Sequence, residues 1–272
     1  MKKNKISTIL LILIFLVGLS LLLYPAVSDY WNAFHQSRAI AEYTSQVDEL
    51  DPEIYEKLWA DAERYNQTLL NKTDRFVMSD EEKAEYESLL NITDTGIMGY
   101  IEIPAIDCSL PIYHGTDESA LQVAIGHLEG SSLPAGGKGT HCVLSGHRGL
   151  PSARLFTDID KMTRGDTFIL RVLNKTLTYE VDQILTVDPY DLSALEIDPD
   201  QDYCTLVTCT PYGINTHRLL VRGHRVANRA EDSAAQADDR GLIVRTVLYS
   251  AAMVLSVFAI VIVLLVKARK KK

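Results

Sequence analysis

CTLVTCTPYGINTHRLLVRGHR, residues 204–225, is the stretch that decides the fold of this 272-residue chain. The residues before Cys209 (TLVT) and from Arg218 onward (RLLV) have the composition of β-strands. Pro211 and Gly213 lie between them and favour a turn. The pattern therefore predicts a β-hairpin that brings a thiol and a guanidinium to one rim of a sheet.

The rest of the chain after Gly96 has the same pattern, in which turn residues separate short runs of β-branched residues. Such a series favours a closed or nearly closed β-barrel, with a β-sandwich as the alternative. Strands are predicted at residues 99–103, 110–113, 141–145, 167–173, 176–187, 205–208 and 218–221. Brief helices are predicted at residues 119–125 and 152–156.

Residues 25–95 have a helical pattern instead. Apolar residues at mixed spacings of three and four predict one or two amphipathic helices, which a loop interrupts near residues 71–79. Ser79 and Glu82 form a capping-box pattern that predicts the start of a further short helix.

Two apolar segments near the ends are each long enough to cross a bilayer. Residues 6–24 and 246–266 carry no charge, and both have basic flanks. The positive-inside rule places these flanks in the cytoplasm and the domain between them outside. For the first segment, a cleaved signal sequence is the alternative. The predicted order is an anchor at 1–24, a helical region at 25–95, a barrel at 96–225, a polar stalk at 226–241, a transmembrane helix at 242–266 and a basic tail at 267–272.

Charge and cysteine content exclude several functions. Nine of the 27 Lys and Arg residues lie near the ends, which leaves 18 against 36 Asp and Glu in the remainder. This balance argues against nucleic-acid binding. Four cysteines are too few for a disulfide scaffold, although an exported protein could form two bridges. Their spacing matches no zinc site, so we predict neither a metal nor a cofactor.

Cys209 is the candidate nucleophile because it lies at a strand end beside a loop. A cysteine attacks as its thiolate and needs a neighbour that holds the proton. His147 follows a predicted strand in the glycine-flanked turn SGHRG, where a side chain is accessible. His127, His141 and His217 remain alternatives.

Arg218 is the candidate for electrostatic stabilisation. Its guanidinium stays protonated, so it cannot act as a base but can donate hydrogen bonds to an oxyanion. The alternatives are a solvated arginine on a strand and, for Cys209, a small buried hydrophobic residue.

Four segments together carry a resemblance to a known family: GYIEIP at 99–104, GHLEG at 126–130, SGHRGLPSA at 145–153 and TLVTCTPYGINTHRLLVRG at 205–223. They resemble the class C, pilus-building sortases. The resemblance implies a mostly β fold with an eight-stranded, closed sortase-type barrel. It also implies that Cys209 is the nucleophile, His147 the general acid and base, and that Arg218 stabilises the oxyanion or positions the substrate.

Class C sortases also carry a lid with an Asp-Pro-aromatic motif. The matching residues here are Asp74, Arg75 and Phe76, with Arg75 where proline is expected. By resemblance, Asp74 pairs with Arg218 and Phe76 lies against Cys209. Without proline the loop is expected to be less rigid.

The resemblance implies a membrane-bound cysteine transpeptidase. It would cleave an LPxTG-like sorting signal between Thr and Gly and join it to a lysine of a pilin subunit. The expected partners are pilin subunits and the lipid bilayer. The alternatives are a sortase that attaches proteins to cell-wall peptide, a membrane-tethered cysteine hydrolase and a non-enzymatic binding module.

Overall fold

The computed structural model describes residues 2–92 and 95–229. The predicted transmembrane helix at 242–266 and the tail at 267–272 lie outside the described residues, as does most of the predicted stalk. The elements below are numbered in chain order.

Helix α1 runs without interruption over Lys2–Asp48 and includes Pro25. The predicted anchor and the first amphipathic helix are therefore one element. Among the described residues, it is the one helix long and apolar enough to cross a membrane, with a mean hydropathy of 2.7 in its most apolar window and none of that window buried. Its second half packs on the barrel, where the Tyr43 hydroxyl donates to the carbonyl of Met98 at 3.0 Å and accepts from the amide of Leu173 at 2.7 Å.

Two more helices precede the barrel. Helix α2 covers Pro52–Leu69 and begins with proline at its first position, where the missing N–H costs no hydrogen bond. Its buried Asn66 side chain accepts a hydrogen bond from the amide of Leu133 at 2.7 Å and donates one to the carbonyl of the same residue at 3.1 Å. Helix α3 covers Asp80–Ser88 and begins with the predicted capping box of Ser79 and Glu82.

Eight strands close into a barrel in the order β1-β2-β3-β4-β7-β8-β6-β5. Neighbouring strands pair antiparallel except for the parallel pairs β2–β3 and β4–β7. The strands are β1 Ile97–Ile103, β2 Cys108–His114, β3 Ile125–His127, β4 Thr140–Ser145, β5 Thr167–Val172, β6 Lys175–Val187, β7 Asp202–Thr210 and β8 His217–Val226. The closed barrel is confirmed, and the sandwich alternative is wrong.

The short elements differ from prediction. Helix α4 covers only Glu118–Leu121, because Ile125 already begins β3, a strand of three residues that the sequence pattern did not indicate. The helix predicted at 152–156 is not formed, because these described residues adopt irregular structure and turns. A 3-10 turn follows them at Ile159–Lys161.

The barrel interior is apolar. Phe168 stacks on Tyr179 with ring centroids 5.5 Å apart, and both rings are fully buried. Leu206 and Val221, which are partners across β7 and β8, are also fully buried. Truncating such a leucine to alanine costs about 2–5 kcal/mol, so the hairpin that carries the candidate site is held firmly in the core.

Candidate active site

Cys209 and Arg218 are directly opposite each other in the β7–β8 ladder. Paired residues on antiparallel strands project to the same face of the sheet. The predicted hairpin and its rim are therefore confirmed. Cys209 is half-buried, and the Arg218 Nη1 donates to the carbonyls of His217 and Asn215 at 3.2 and 3.4 Å.

His147 lies just beyond the end of β4. Strand β4 pairs with β7 in parallel, with Ser145 opposite Val207. The pairing continues past the strand end, since the amide of Gly146 donates to Val207 O at 3.0 Å and the Thr208 hydroxyl donates to Gly146 O at 2.7 Å. His147 is two residues beyond Ser145, as Cys209 is beyond Val207, so both leave the sheet at the same rim.

The close packing around residue 146 explains why a glycine precedes His147. A Cβ at that position would lie 2.7 Å from the Phe156 ring and 2.9 Å from Ile125 Cγ2. Any larger residue would push the backbone away from β7 and move His147 with it.

The His147 ring is available for proton transfer. Its Nε2 is buried and has no hydrogen-bond partner among the described residues. The nearest carboxylate oxygen is Oε2 of Glu118, at 3.7 Å. Glu118 begins helix α4, and its position beside His147 could not be predicted from the sequence, because only the fold brings that helix to the rim.

Two of the alternative histidines have both ring nitrogens occupied. His127 is fully buried and contacts the Tyr86 hydroxyl at 2.9 Å and a backbone carbonyl at 2.8 Å. His141 contacts the backbone carbonyl of Glu196 at 2.8 Å and a threonine hydroxyl at 2.7 Å. Burial lowers the pKa of His141 to about 4, so its ring stays neutral. Both residues have structural roles.

His217 is the third alternative. Its Nε2 lies 3.6 Å from Asp188 Oδ1, and its Nδ1 contacts the Thr216 hydroxyl at 2.9 Å. It precedes Arg218 on β8 and therefore projects to the other face of the strand. Of these four histidines, His147 lies at the rim shared with Cys209 and has a ring nitrogen without a hydrogen-bond partner among the described residues.

The expected ion pair between Asp74 and Arg218 is not formed. None of the ion pairs in the described part of the chain joins them, because Asp74 is exposed and Arg218 binds carbonyls of its own loop. The carbonyl of Asp74 instead accepts from the amide of Val77 at 3.0 Å and closes a turn.

Arg75 anchors this loop in place of the missing proline. Only 3% of it is exposed. Its guanidinium donates to Leu195 O at 2.6 Å and Gly130 O at 3.3 Å, and it lies 3.7 Å from Glu196 Oε2. A Cβ on Gly130 would lie 2.0 Å from the carbonyl oxygen of Arg75, so the loop backbone packs directly on this glycine. The loop is held by a buried side chain instead of by a rigid ring.

Phe76 covers an apolar cluster on the outer face of the barrel. The cluster consists of Val143, Leu195 and Leu220, and Val207 also packs against it. Val207 is two residues before Cys209 and so shares its strand face. The Arg75 guanidinium lies over the Phe76 ring, 4.3 Å from its centroid.

The other cysteines are in different environments. Cys142 and Cys204 are opposite each other on β4 and β7, buried and unbridged. Burial raises the pKa of the Cys204 thiol and raises that of Cys108 to about 12. No group of three or more metal-ligating side chains occurs within residues 2–92 and 95–229.

Comparison with known proteins identifies the family of this chain. The family model described as the sortase domain matches residues 101–226. Sortase D of Bacillus subtilis is 32% identical over 131 residues, which are 47% of this chain and 63% of that relative. The crystal structure of sortase C1 from Streptococcus agalactiae is 55% identical, with a TM-score of 0.68, and the match covers 71% of this chain and 100% of that one. Sortase C of Streptococcus pneumoniae is 47% identical, with a TM-score of 0.64 and coverage of 71% and 98%.

This chain shares its fold with these solved structures over 71% of its length. It belongs to the sortase family, whose members are cysteine transpeptidases.

Proposed function

We propose that this chain is a membrane-anchored transpeptidase that cleaves an LPxTG-like sorting signal between Thr and Gly and joins the threonine to a lysine of a pilin subunit. The observation that carries the proposal is the placement of Cys209 opposite Arg218, with His147 level with them at the same rim.

In the first half-reaction, the Cys209 thiolate attacks the carbonyl carbon of threonine. Arg218 donates hydrogen bonds to the oxygen that becomes negative in the tetrahedral intermediate. Protonated His147 gives its proton to the glycine amine as the C–N bond breaks, and a thioester to Cys209 remains.

In the second half-reaction, neutral His147 accepts a proton from the incoming lysine amine. The amine attacks the thioester, an isopeptide bond forms and the Cys209 thiolate leaves. Water as the acceptor would give only the free acid, so polymerisation requires that the amine reaches the thioester first.

The likeness to sortase C of Streptococcus pneumoniae, a protein studied for its pilin substrate specificity, supports a pilin substrate. The loop at 71–79 further supports it. Phe76 packs against the apolar cluster that Val207, two residues before Cys209, also contacts, so this loop is a candidate lid for an extended peptide substrate.

The proposed location is the cell membrane, with two spans, both termini in the cytoplasm and the catalytic domain outside. The apolar first half of α1 supports the first anchor. Substrates held in the same membrane meet the enzyme at a raised effective concentration.

Mass spectrometry of the reaction tests the proposal. The purified chain is incubated with an LPxTG peptide and a lysine-bearing pilin domain. We expect a thioacyl adduct and then an isopeptide product, both lost in Cys209→Ala and retained in the control Cys108→Ala. An acid product alone would indicate a hydrolase, and transfer only to a cell-wall peptide amine would indicate a wall-anchoring sortase. No adduct, even in Phe76→Ala, would contradict the enzymatic function.

A further inference from the structure

We propose that the active-site rim of the barrel lies against the lipid bilayer, with Tyr212 and Ile214 of the β7–β8 loop in the interfacial layer. This inference rests on the part of the proposed function in which α1 anchors the chain. It adds an orientation for the catalytic domain and a second contact with lipid.

Helix α1 is continuous from the apolar run to the barrel. The uncharged run ends at Tyr24, and the helix continues without a break into the part that binds the barrel. Asp29 Oδ1 accepts from the amide of Arg154 at 2.8 Å, and Asn32 Nδ2 donates to Ser152 O at 2.8 Å. At about 1.5 Å per residue, both contacts lie within about 12 Å of Tyr24 along the helix axis.

The contacts with α1 also fix the direction of the barrel along this helix. Residues 152 and 154 belong to the loop that follows His147, at the active-site end. Tyr43 binds the opposite end through Leu173, in the β5–β6 turn. Tyr43 is about 28 Å further along the helix than Tyr24. The active-site end is therefore the end nearer to the apolar run, and the β5–β6 turn is the remote end.

A groove joins the end of the span to the catalytic loop. Pro25 and Ala26, the residues immediately after the apolar run, line a groove of about 490 Å³ together with Gly149, Leu150 and Tyr212. Tyr212 is three residues after Cys209. The loop that leaves the nucleophile thus lies beside the point where the span ends.

The exposed side chains of this loop and of α1 have the chemistry of interfacial residues. Tyr212 and Ile214 are 60% and 68% exposed, although both are large and apolar or amphipathic. On α1, Tyr24 and Trp31 are 56% and 63% exposed. Aromatic side chains of this kind favour the membrane–water interface. We therefore assign these four side chains to the interfacial layer.

The loop after His147 carries little net charge. In the loop after His147, Arg148 pairs with Asp160 and Arg154 pairs with Asp158. These ion pairs leave the loop nearly neutral, so the contact depends on apolar and aromatic groups and does not require anionic lipid. A sorting signal held at the bilayer would then reach Cys209 without leaving the membrane surface.

Photocrosslinking in nanodiscs of phosphatidylcholine tests the proposal. The full chain carries benzoylphenylalanine at position 214 or, as the control, in place of Asn174, an exposed residue of the remote β5–β6 turn. After irradiation, the intact mass reports phospholipid adducts. We expect at least tenfold more adduct at position 214 than at position 174.

A second comparison tests the two hydrogen bonds that join α1 to the loop after His147. Asp29→Ala combined with Asn32→Ala should lower the adduct at position 214 severalfold, while the exposed control Ser37→Ala should not. Equal adducts at positions 214 and 174, or none at 214 in a chain that copurifies with the discs, would overturn the orientation and leave the anchor intact. A chain that elutes free of the discs would overturn both, and the peptide assay above measures transpeptidation separately.

Discussion

Cys209 lies directly opposite Arg218, one residue before the end of β7. The backbone register of the hairpin therefore sets the separation of thiol and guanidinium, and long-range packing does not have to adjust it. A side chain fixed in this way can be oriented toward a developing charge before the substrate binds.

Replacing Arg218 tests this arrangement. Arg218→Ala should lower kcat/KM for an LPxTG peptide by about 10²–10³, the usual loss for one oxyanion donor. Arg218→Lys should recover only part of it, since an ammonium lacks the planar fork. Arg222→Ala is the control, because Arg222 lies on the same strand but pairs with Asp182. An equal loss in the control would contradict a specific role for Arg218.

Replacing Arg75 should loosen the lid. Arg75→Ala leaves the buried carbonyls of Leu195 and Gly130 without a donor, at a cost of about 1–3 kcal/mol. We expect alkylation of Cys209 by a thiol reagent to become severalfold faster. Arg64→Ala is the matched control, since Arg64 is exposed and pairs only with Asp61 at 2.8 Å. An unchanged alkylation rate would show that Arg75 does not hold the lid.

The stability of the fold should fall in mild acid. The folded-state pKa of His141 is lowered to about 4, below the value of about 6.5 in an unfolded chain. Between these pH values the unfolded chain binds a proton that the folded chain does not, so stability falls as the pH falls through this window. The titration of His141 alone should lower the free energy of unfolding by about 2 kcal/mol between pH 7 and pH 5.

Melting temperatures at pH 7 and pH 5 measure this loss. The drop should be smaller in His141→Gln than in the unmodified chain. The surface variant His35→Gln should retain the full drop. If His141→Gln loses as much stability as the parent, the buried imidazole is not the titrating group.

The four thiols should react very differently. Cys209 is half-buried at the rim, whereas Cys142 and Cys204 are buried in the barrel wall and burial raises the pKa of Cys108 to about 12. Iodoacetamide at pH 7 should therefore add one group to the folded chain, at Cys209, and four after unfolding. Incorporation of two or more groups before unfolding would contradict the burial of the other cysteines.

Sequence alone predicted the elements that local chemistry determines. The hairpin around Cys209, the capping box at Ser79 and seven of the strands follow from turn residues, caps and alternation. Strand β3 was missed because three residues are too few to show a period. The length of α1 was missed because the uncharged run and the amphipathic pattern after it were treated as separate elements. Closure of the barrel depends on pairing between strands that are distant in the sequence. The sequence pattern favoured a barrel but did not predict which strands pair.

The site residues also divide into those that the local sequence predicts and those that depend on long-range contacts. Cys209 and Arg218 were brought together by a turn that the sequence displays. Glu118 and the anchoring role of Arg75 depend on contacts with residues far away in the chain, such as Glu196. The expected partner of Asp74 was wrong because the Arg218 guanidinium finds carbonyls within its own loop.

The parallel pairing of β4 with β7 has an evolutionary consequence. Because both strands run toward the same rim, His147 and Cys209 each lie at a strand end with a loop after it. Insertions or deletions in either loop leave the spacing of the two reacting groups unchanged. A scaffold of this kind can acquire new substrate preferences by loop exchange while its chemistry is inherited intact.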